Sequence, residues 1–285
     1  MGKIHDALEK ANKGPKPSDF QHKDFQIIVN DGKEEPNVLS DQSDKGFTDM
    51  RGSDGLDDVL VTLLKPRSYE AEQFKMLRTN LLFPTSGKPP RSIMVISAVP
   101  GEGKSFVAAN LAITIAQSIN DHVLLIDCDV RKPSVHSLFG FRSVSGLSEY
   151  LAGGTSIAPF LLKTPVEKLT ILPAGNPPPN PAEILSSEKM IKLLEEVKTK
   201  YNDRYVIIDS PPPQFTAEAN VLARLVDGII LVVKQRSTPR ELVADLVEKI
   251  GKEKIMGVVL NQFDMRSSFY YGYGKYGNYK KYYHS

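Results

Sequence analysis

Three short stretches of this chain hold residues whose types and spacing could handle phosphate. The first is "SAVPGEGKS", residues 97–105. Gly101 and Gly103 permit a tight turn that aims backbone N–H groups inward, and a helix beginning at Lys104 would turn the positive end of its dipole toward an anion. Lys104 is placed to reach the β- and γ-phosphates of a nucleotide, and the Ser105 hydroxyl to ligate Mg²⁺. Contacts are expected along Gly101, Glu102, Gly103, Lys104, Ser105 and Phe106. The motif's usual first glycine is Ala98 here, still a small residue. The second stretch, "VLLIDCDVRKP", carries Asp127 and Asp129, and the third, "YVIIDS", carries Asp209. Asp127 and Asp209 each end an apolar run, where an unpaired carboxylate would be costly. A bound Mg²⁺ would give them a partner, so Ser105, Asp127 and Asp209 are the candidate metal residues.

Such residues can cooperate only if strands and helices deliver them to one edge. Six short runs rich in Val and Ile read as buried strands: 92–98, 122–127, 169–174, 205–210, 228–233 and 255–260. Helical patterns separate them at 104–119, 182–201, 217–225 and 239–251. Near-continuous apolar strands alternating with helices predict an α/β fold: a doubly wound, mostly parallel sheet with helices on both faces. In such a sheet the strand C-termini line the ligand crevice, which is where the three aspartates would lie. A further helix is expected over 68–83, with Phe74, Leu77, Leu81 and Leu82 as its apolar stripe and Glu72, Lys75 and Arg78 along a polar edge.

The segments outside this α/β pattern differ in character. Residues 1–13 read as a short amphipathic helix with Ile4, Ala7, Leu8 and Ala11 on one face. Residues 14–58 are rich in Gly, Pro, Ser, Asp and Lys and read as a linker, with "FQIIV" at most a short strand. The main domain is expected over 59–265, followed by a tail over 266–285. That tail holds Tyr270, Tyr271, Tyr273, Tyr276, Tyr279, Tyr282 and Tyr283, seven of the chain's 11 tyrosines, with no acidic residue among them. Its lysines beside aromatic rings invite a nucleic-acid reading, but the phosphate motifs already account for the phenols, and no nucleic-acid partner is expected.

Composition narrows the rest. The 285 residues include 36 Lys and Arg against 34 Asp and Glu, so no strong overall field points to nucleic acid. The single cysteine, Cys128, forbids an internal disulfide and fits a reducing compartment. No apolar run is long enough to span a membrane, and the start lacks the apolar core of a signal peptide. A cytoplasmic protein is expected. His122, His136 and His284 have no metal-ligand spacing.

Taken together, "AVPGEGKS", "LLIDCDVRKP", "VIIDSPP" and the terminal tyrosines resemble the bacterial tyrosine kinases, P-loop enzymes of capsule and exopolysaccharide gene clusters. "GLSEYLAGG" (146–154), "PAGNPPPNPAEIL" (173–185), "GVVLNQFD" (257–264) and the opening "KIHDALEKA" are similar to family segments as well. The resemblance implies a MinD/ParA-like P-loop fold and an ATP- and Mg²⁺-dependent autokinase acting on its own terminal tyrosines, in trans within a homo-oligomer. It assigns catalytic roles to Lys104, Asp127, Asp129 and Asp209, with one of Asp127 and Asp129 accepting the phenol proton. It also implies a membrane-embedded polysaccharide co-polymerase as activator on a separate chain, which would recruit the kinase to the inner face of the membrane, and a cognate tyrosine phosphatase. Glu72, Lys75 and Arg78 match the family's Glu-x-x-Arg-x-x-Arg oligomer motif, with lysine at the middle position; lysine keeps the charge but loses the bidentate fork.

Two other readings share the sheet and the loop. A MinD- or ParA-like positioning ATPase carries a second lysine five residues before the P-loop lysine, where this chain has Val99. A non-catalytic scaffold would use nucleotide only to control assembly, which leaves Lys104 and the three aspartates without a task. A dinucleotide-binding dehydrogenase is not expected, because "PGEGKS" lacks that fingerprint.

Overall fold

Each of the six apolar runs becomes a strand, and all but the last, which is mostly half-buried, are buried on both faces. The computed structural model describes residues 25–27, 55–84, 87–199, 204–211 and 217–263. The proposed N-terminal helix and the tyrosine tail lie outside the described residues. In chain order the strands are β1 Phe25–Ile27, β2 Ser92–Ser97, β3 His122–Asp127, β4 Leu162–Lys163, β5 Leu169–Leu172, β6 Arg204–Asp209, β7 Gly228–Lys234 and β8 Ile255–Asn261. The helices are α1 Val61–Leu64, α2 Tyr69–Leu82, α3 Lys104–Ala116, α4 Val135–Leu138, α5 Leu147–Gly153, α6 Pro181–Leu185, α7 Glu188–Thr199, α8 Ala217–Leu225 and α9 Arg240–Ile250.

The strands form one sheet in the order β1-β8-β7-β2-β6-β3-β5-β4. Every pairing is parallel except β4 with β5. Because side chains alternate across a strand, β2 sends Ile93 and Val95 to one face and Met94 and Ile96 to the other. The first face is covered by α1, α2 and α3, and the second by α7, α8 and α9. The chain therefore has the doubly wound α/β architecture that its pattern predicts.

One detail differs from the sequence pattern, and one short strand appears where the pattern allowed it. The helical run expected over 182–201 is two helices, because Ser186 Oγ donates back to the Ala182 carbonyl at 2.7 Å and Ser187 Oγ caps the next helix by accepting from Met190 N at 3.3 Å. Hydroxyls that bond to nearby backbone in this way compete with a continuous helix. Within the composition-poor N-terminal stretch, Phe25–Ile27 adds a parallel strand beside β8, with Gln26 level with Val259.

Helix α2 starts where Ser68 Oγ accepts from Ala71 N at 3.1 Å, with Glu70 and Glu72 in the first turn. Its stripe of Phe74, Leu77, Leu81 and Leu82 is buried. The Phe74 ring meets Phe106 of α3 edge to face at 5.6 Å, so truncating Phe74 to Ala should cost about 3–5 kcal/mol. Helix α3 is buried along nearly its whole length. One polar residue in it, Asn110, is satisfied by α1: its Oδ1 accepts from Thr62 N and Oγ1 at 3.0 and 2.9 Å, and its Nδ2 donates to the Val59 carbonyl at 2.9 Å. That network fixes α3, and with it the start of α3, against the sheet.

A candidate nucleotide site at the strand ends

Strand order decides what meets at the C-terminal edge. Strand β6 lies between β2 and β3, and Asp209 is level with Val95 on one side and with Asp127 on the other. Parallel neighbours lie about 4.8 Å apart, so the two aspartates stand side by side, facing the loop that leaves β2. All three expected carboxylates, Lys104 and Ser105 thus converge, although 105 residues separate Lys104 from Asp209 in the chain.

The loop itself is shaped by its glycines. Gly101 and Gly103 have φ of +78° and +91°, values that L side chains disfavour. A Cβ on Gly103 would in addition stand 2.1 Å from Asn261 Nδ2. Gly103 is the residue before α3, whose first N–H groups open into the crevice. Lys104 is buried, and its ammonium lies near both Asp209 and Asp129, where it favours their ionised forms.

The aspartates are held in different ways. Asp127 is fully buried. Its Oδ1 accepts from Asp129 N at 3.0 Å, and its Oδ2 accepts from Ser134 N and Val135 N, both at 3.0 Å. Burial, with the Asp209 charge beside it, pushes its carboxyl up to about 8. Asp209 is equally buried, but neither carboxylate oxygen has a partner at hydrogen-bonding geometry. Burial raises it to about 6, less far because Lys104 and the nearby Ser105 hydroxyl oppose the rise. Asp129 is half-exposed, its Oδ1 accepting from Lys132 N at 3.1 Å. Burial still raises its carboxyl, with Lys104 opposing.

These donors suit Mg²⁺ with a nucleotide triphosphate. Mg²⁺ takes a few protein oxygens and is otherwise held by phosphates and water. Ser105 Oγ and the orphaned Asp209 carboxylate offer such oxygens at one point. Among the described residues no group of three or more His, Cys, Asp or Glu could hold a metal ion unaided.

Two contributors to the site, Ser134 and Asn261, have no signature that spacing could reveal, and the side chain of Glu102 has a task that spacing does not show. Ser134 Oγ lies 2.8 Å from Ser105 Oγ while its N–H holds Asp127. Glu102 turns its side chain away from the crevice: it is buried, and its carboxylate accepts from Val99 N at 2.8 Å, Lys234 N at 3.1 Å and the Thr238 hydroxyl. Its backbone alone remains available to a phosphate. Asn261 donates from Nδ2 to the Glu102 carbonyl at 2.8 Å. Phe106 likewise gives its ring to the core and only its backbone to the helix start. Glu72, Lys75 and Arg78 lie away from this edge: Lys75 Nζ pairs with Glu72 Oε1 at 2.6 Å and donates to the Pro66 carbonyl, and Arg78 donates to the Thr114 carbonyl of α3 at 3.0 Å.

Comparison with known proteins agrees with this geometry. A family model of the ParA group, described as NUBPL iron-transfer P-loop NTPase, matches residues 89–266. Its iron-transfer label finds no cysteine pair here, since Cys128 is the only cysteine and is buried. The MinD septum-site protein of Pyrococcus horikoshii, solved with Mg-ADP, superposes with a TM-score of 0.52 at 23% identity, covering 63% of this chain and 72% of that one, which shows a shared fold. The kinase domain of the Escherichia coli tyrosine kinase ETK superposes better, with a TM-score of 0.70 at 27% identity over 85% of this chain and 91% of that one. The tyrosine-protein kinase YwqD of Bacillus subtilis is 37% identical over 216 residues, 75% of this chain and 90% of that protein. The loop, the paired strand-end aspartates and these likenesses place the chain in the family of bacterial tyrosine-protein kinases.

Proposed function

We propose that the protein is an ATP- and Mg²⁺-dependent autokinase that phosphorylates the tyrosines of its own tail, from Tyr270 to Tyr283, on a neighbouring copy. The observation that carries this reading is Asp209, a fully buried carboxylate without a hydrogen-bonding partner, beside Lys104, Ser105 and a second buried aspartate. A P-loop protein has a use for such a group when phosphates and their ion complete it.

When bound, Mg·ATP supplies an activated γ-phosphoryl group and neutralises part of its charge. The loop N–H groups and the start of α3 hold the phosphate oxygens, and Lys104 compensates charge that builds on the β–γ bridging oxygen as that bond breaks. Ser105 and Asp209 would hold the ion. Asp127 is engaged by three backbone N–H groups, so its part is to hold the β3–α4 turn in place beside Asp209. Asp129 is half-exposed at the rim and has a raised carboxyl, which suits it to accept the phenol proton as the phenol oxygen bonds to phosphorus. Transfer is chiefly a matter of placing that phenol in line.

The tail spans 20 residues beyond Met265, at most roughly 65–70 Å when extended, which is enough to reach another protomer. The edge of α2 with Glu72, Lys75 and Arg78 is the proposed subunit contact. The same reading places the kinase in the cytoplasm, drawn to the membrane by a co-polymerase on a separate chain, tuning exopolysaccharide length and export, with a phosphatase resetting the tail. Among the described residues no helix is long and apolar enough to cross a membrane.

The test mixes a Lys104→Met chain that keeps its tail with an active chain ending at Met265, adds Mg·ATP, and maps phosphotyrosine by mass spectrometry. Phosphate should appear on the inactive partner's tail. An unlabelled inactive tail, with full-length active chains incubated separately still labelled at a rate independent of concentration, would show transfer in cis. No phosphotyrosine in any mixture, with ATP still hydrolysed, would favour the positioning-ATPase reading.

A further inference from the structure

Among the described residues, the two non-glycine residues with positive φ are Arg236 at 57° and Gln262 at 54°. L side chains disfavour this region, and such residues persist where the surrounding structure over-determines them. They occupy two separate turns, one after β7 and one after β8. Both turns end on the same residue of the nucleotide loop. From the first, Lys234 N and the Thr238 hydroxyl donate to Glu102 Oε1. From the second, Asn261 Nδ2 donates to the Glu102 carbonyl at 2.8 Å. Gln235 N donates to the Asn261 carbonyl at 3.0 Å and ties the turns together. The remaining oxygen of Glu102 reaches back within the loop to Val99 N at 2.8 Å.

We propose that Glu102 is a positioning residue: it is a strut through which the β7 and β8 turns set the conformation of the nucleotide loop. The loop cannot hold this shape by itself. Its two glycines at positive φ leave it free to relax, and α3 anchors only its far end. Glu102 supplies the missing anchor at the middle, on the side opposite the aspartates. Its carboxylate suits the task because all its neighbours are donors. A glutamine there would set its NH₂ group against either Val99 N–H or the Lys234 and Thr238 donors. A consequence is that Thr238, which lies outside the phosphate motifs, influences nucleotide affinity only by way of Glu102.

This inference rests on the loop binding nucleotide, so the experiment measures that first. The affinity of the full chain for a fluorescent N-methylanthraniloyl ADP with Mg²⁺ is measured by titration, alongside the KM for ATP and kcat. No binding by the unaltered protein would sink the nucleotide reading and the strut with it. Given binding, Glu102→Gln should weaken it about tenfold, the effect of losing one charge-assisted hydrogen bond, with KM rising in step and kcat changing much less. Thr238→Val should weaken it about threefold in the parent and have no further effect in the Glu102→Gln background. Thermal unfolding checks that each variant is folded at the assay temperature. If Glu102→Gln does not fold, Thr238→Val alone decides, through a rise in KM at unchanged kcat. A folded Glu102→Gln protein with parental affinity would overturn the proposal, as would a Thr238→Val effect that simply adds to it or falls on kcat.

Discussion

The ends of β3 and β6 are neighbours in register, equally buried and both acidic, yet they are opposites in how their charge is met. Asp127 is wrapped by three backbone N–H groups from the turn that follows it. Asp209 has none. The first carboxylate is part of the fold: the chain supplies its partners and fixes it. The second is left for something from outside. A buried polar group without a partner costs free energy, so the β6 carboxylate is left for a ligand to satisfy, whereas the β3 carboxylate already takes its hydrogen bonds from the chain.

Substitution at the two positions should therefore separate activity from stability. Asp209→Asn should lower phosphotyrosine formation roughly a hundred- to thousandfold, yet make the nucleotide-free protein more stable at pH 8 by about 1–2 kcal/mol. Asp127→Asn should lose activity too, but destabilise by about 1–3 kcal/mol, because the amide sets an N–H against backbone donors. Urea unfolding at pH 8 without nucleotide gives both numbers. If both variants shift stability in the same direction, the distinction between the two strand ends is wrong.

The pH dependence sharpens the same contrast. Both carboxyls titrate above the ordinary Asp value of 3.8, Asp209 at about 6 and Asp127 at about 8. Between pH 4 and 8 the folded state therefore holds protons that the unfolded chain has released, so stability falls as pH rises through this window. The expected loss from pH 5 to pH 8 is several kcal/mol, the larger part from Asp127. Glu149 and Asp227 are shifted the other way and act below that window. Saturating Mg-ADP should flatten the profile. A nucleotide-free protein that gains stability from pH 5 to pH 8 would contradict the assignment.

A smaller effect is expected from Ser134→Ala, which keeps the N–H on Asp127 but removes the hydroxyl against Ser105. The KM for Mg·ATP should rise by about three- to tenfold, with unfolding unchanged. Smallest for the single chain is Glu72→Ala with Lys75→Ala: a partly exposed surface pair of this kind contributes about 0–1 kcal/mol. Its loss should show in light scattering as fewer oligomers, and unchanged oligomers would detach α2 from assembly.

The features legible in the sequence were those with a local rule. The six strands announce themselves by apolar runs, and Gly101, Gly103, Lys104 and Ser105 by spacing between a strand and a helix. Asp127 and Asp209 stand out because a charge ends each run. What could not be read depends on partners far along the chain. Glu102 looks like a nucleotide contact until its carboxylate meets Lys234 and Thr238, more than 130 residues on. Ser134 is unremarkable until β3 returns it to Ser105. The break between α6 and α7 turned on two serines whose hydroxyls bond to backbone, where apolar periodicity alone runs through.

The short strand β1 closes one side of the sheet. A parallel strand presents its peptide groups to both sides, and without Phe25–Ile27 the outer side of β8 would offer a row of unpaired N–H and C=O groups to any extended segment nearby. Strand-by-strand recruitment of foreign chain is how sheets begin to aggregate. A protein shortened to begin near Leu60 could keep its nucleotide site and still be a poorer solution species, tending to associate at β8 as concentration rises. The N-terminal stretch, so poor in apolar residues that it looks dispensable, would then serve as a cover for that edge.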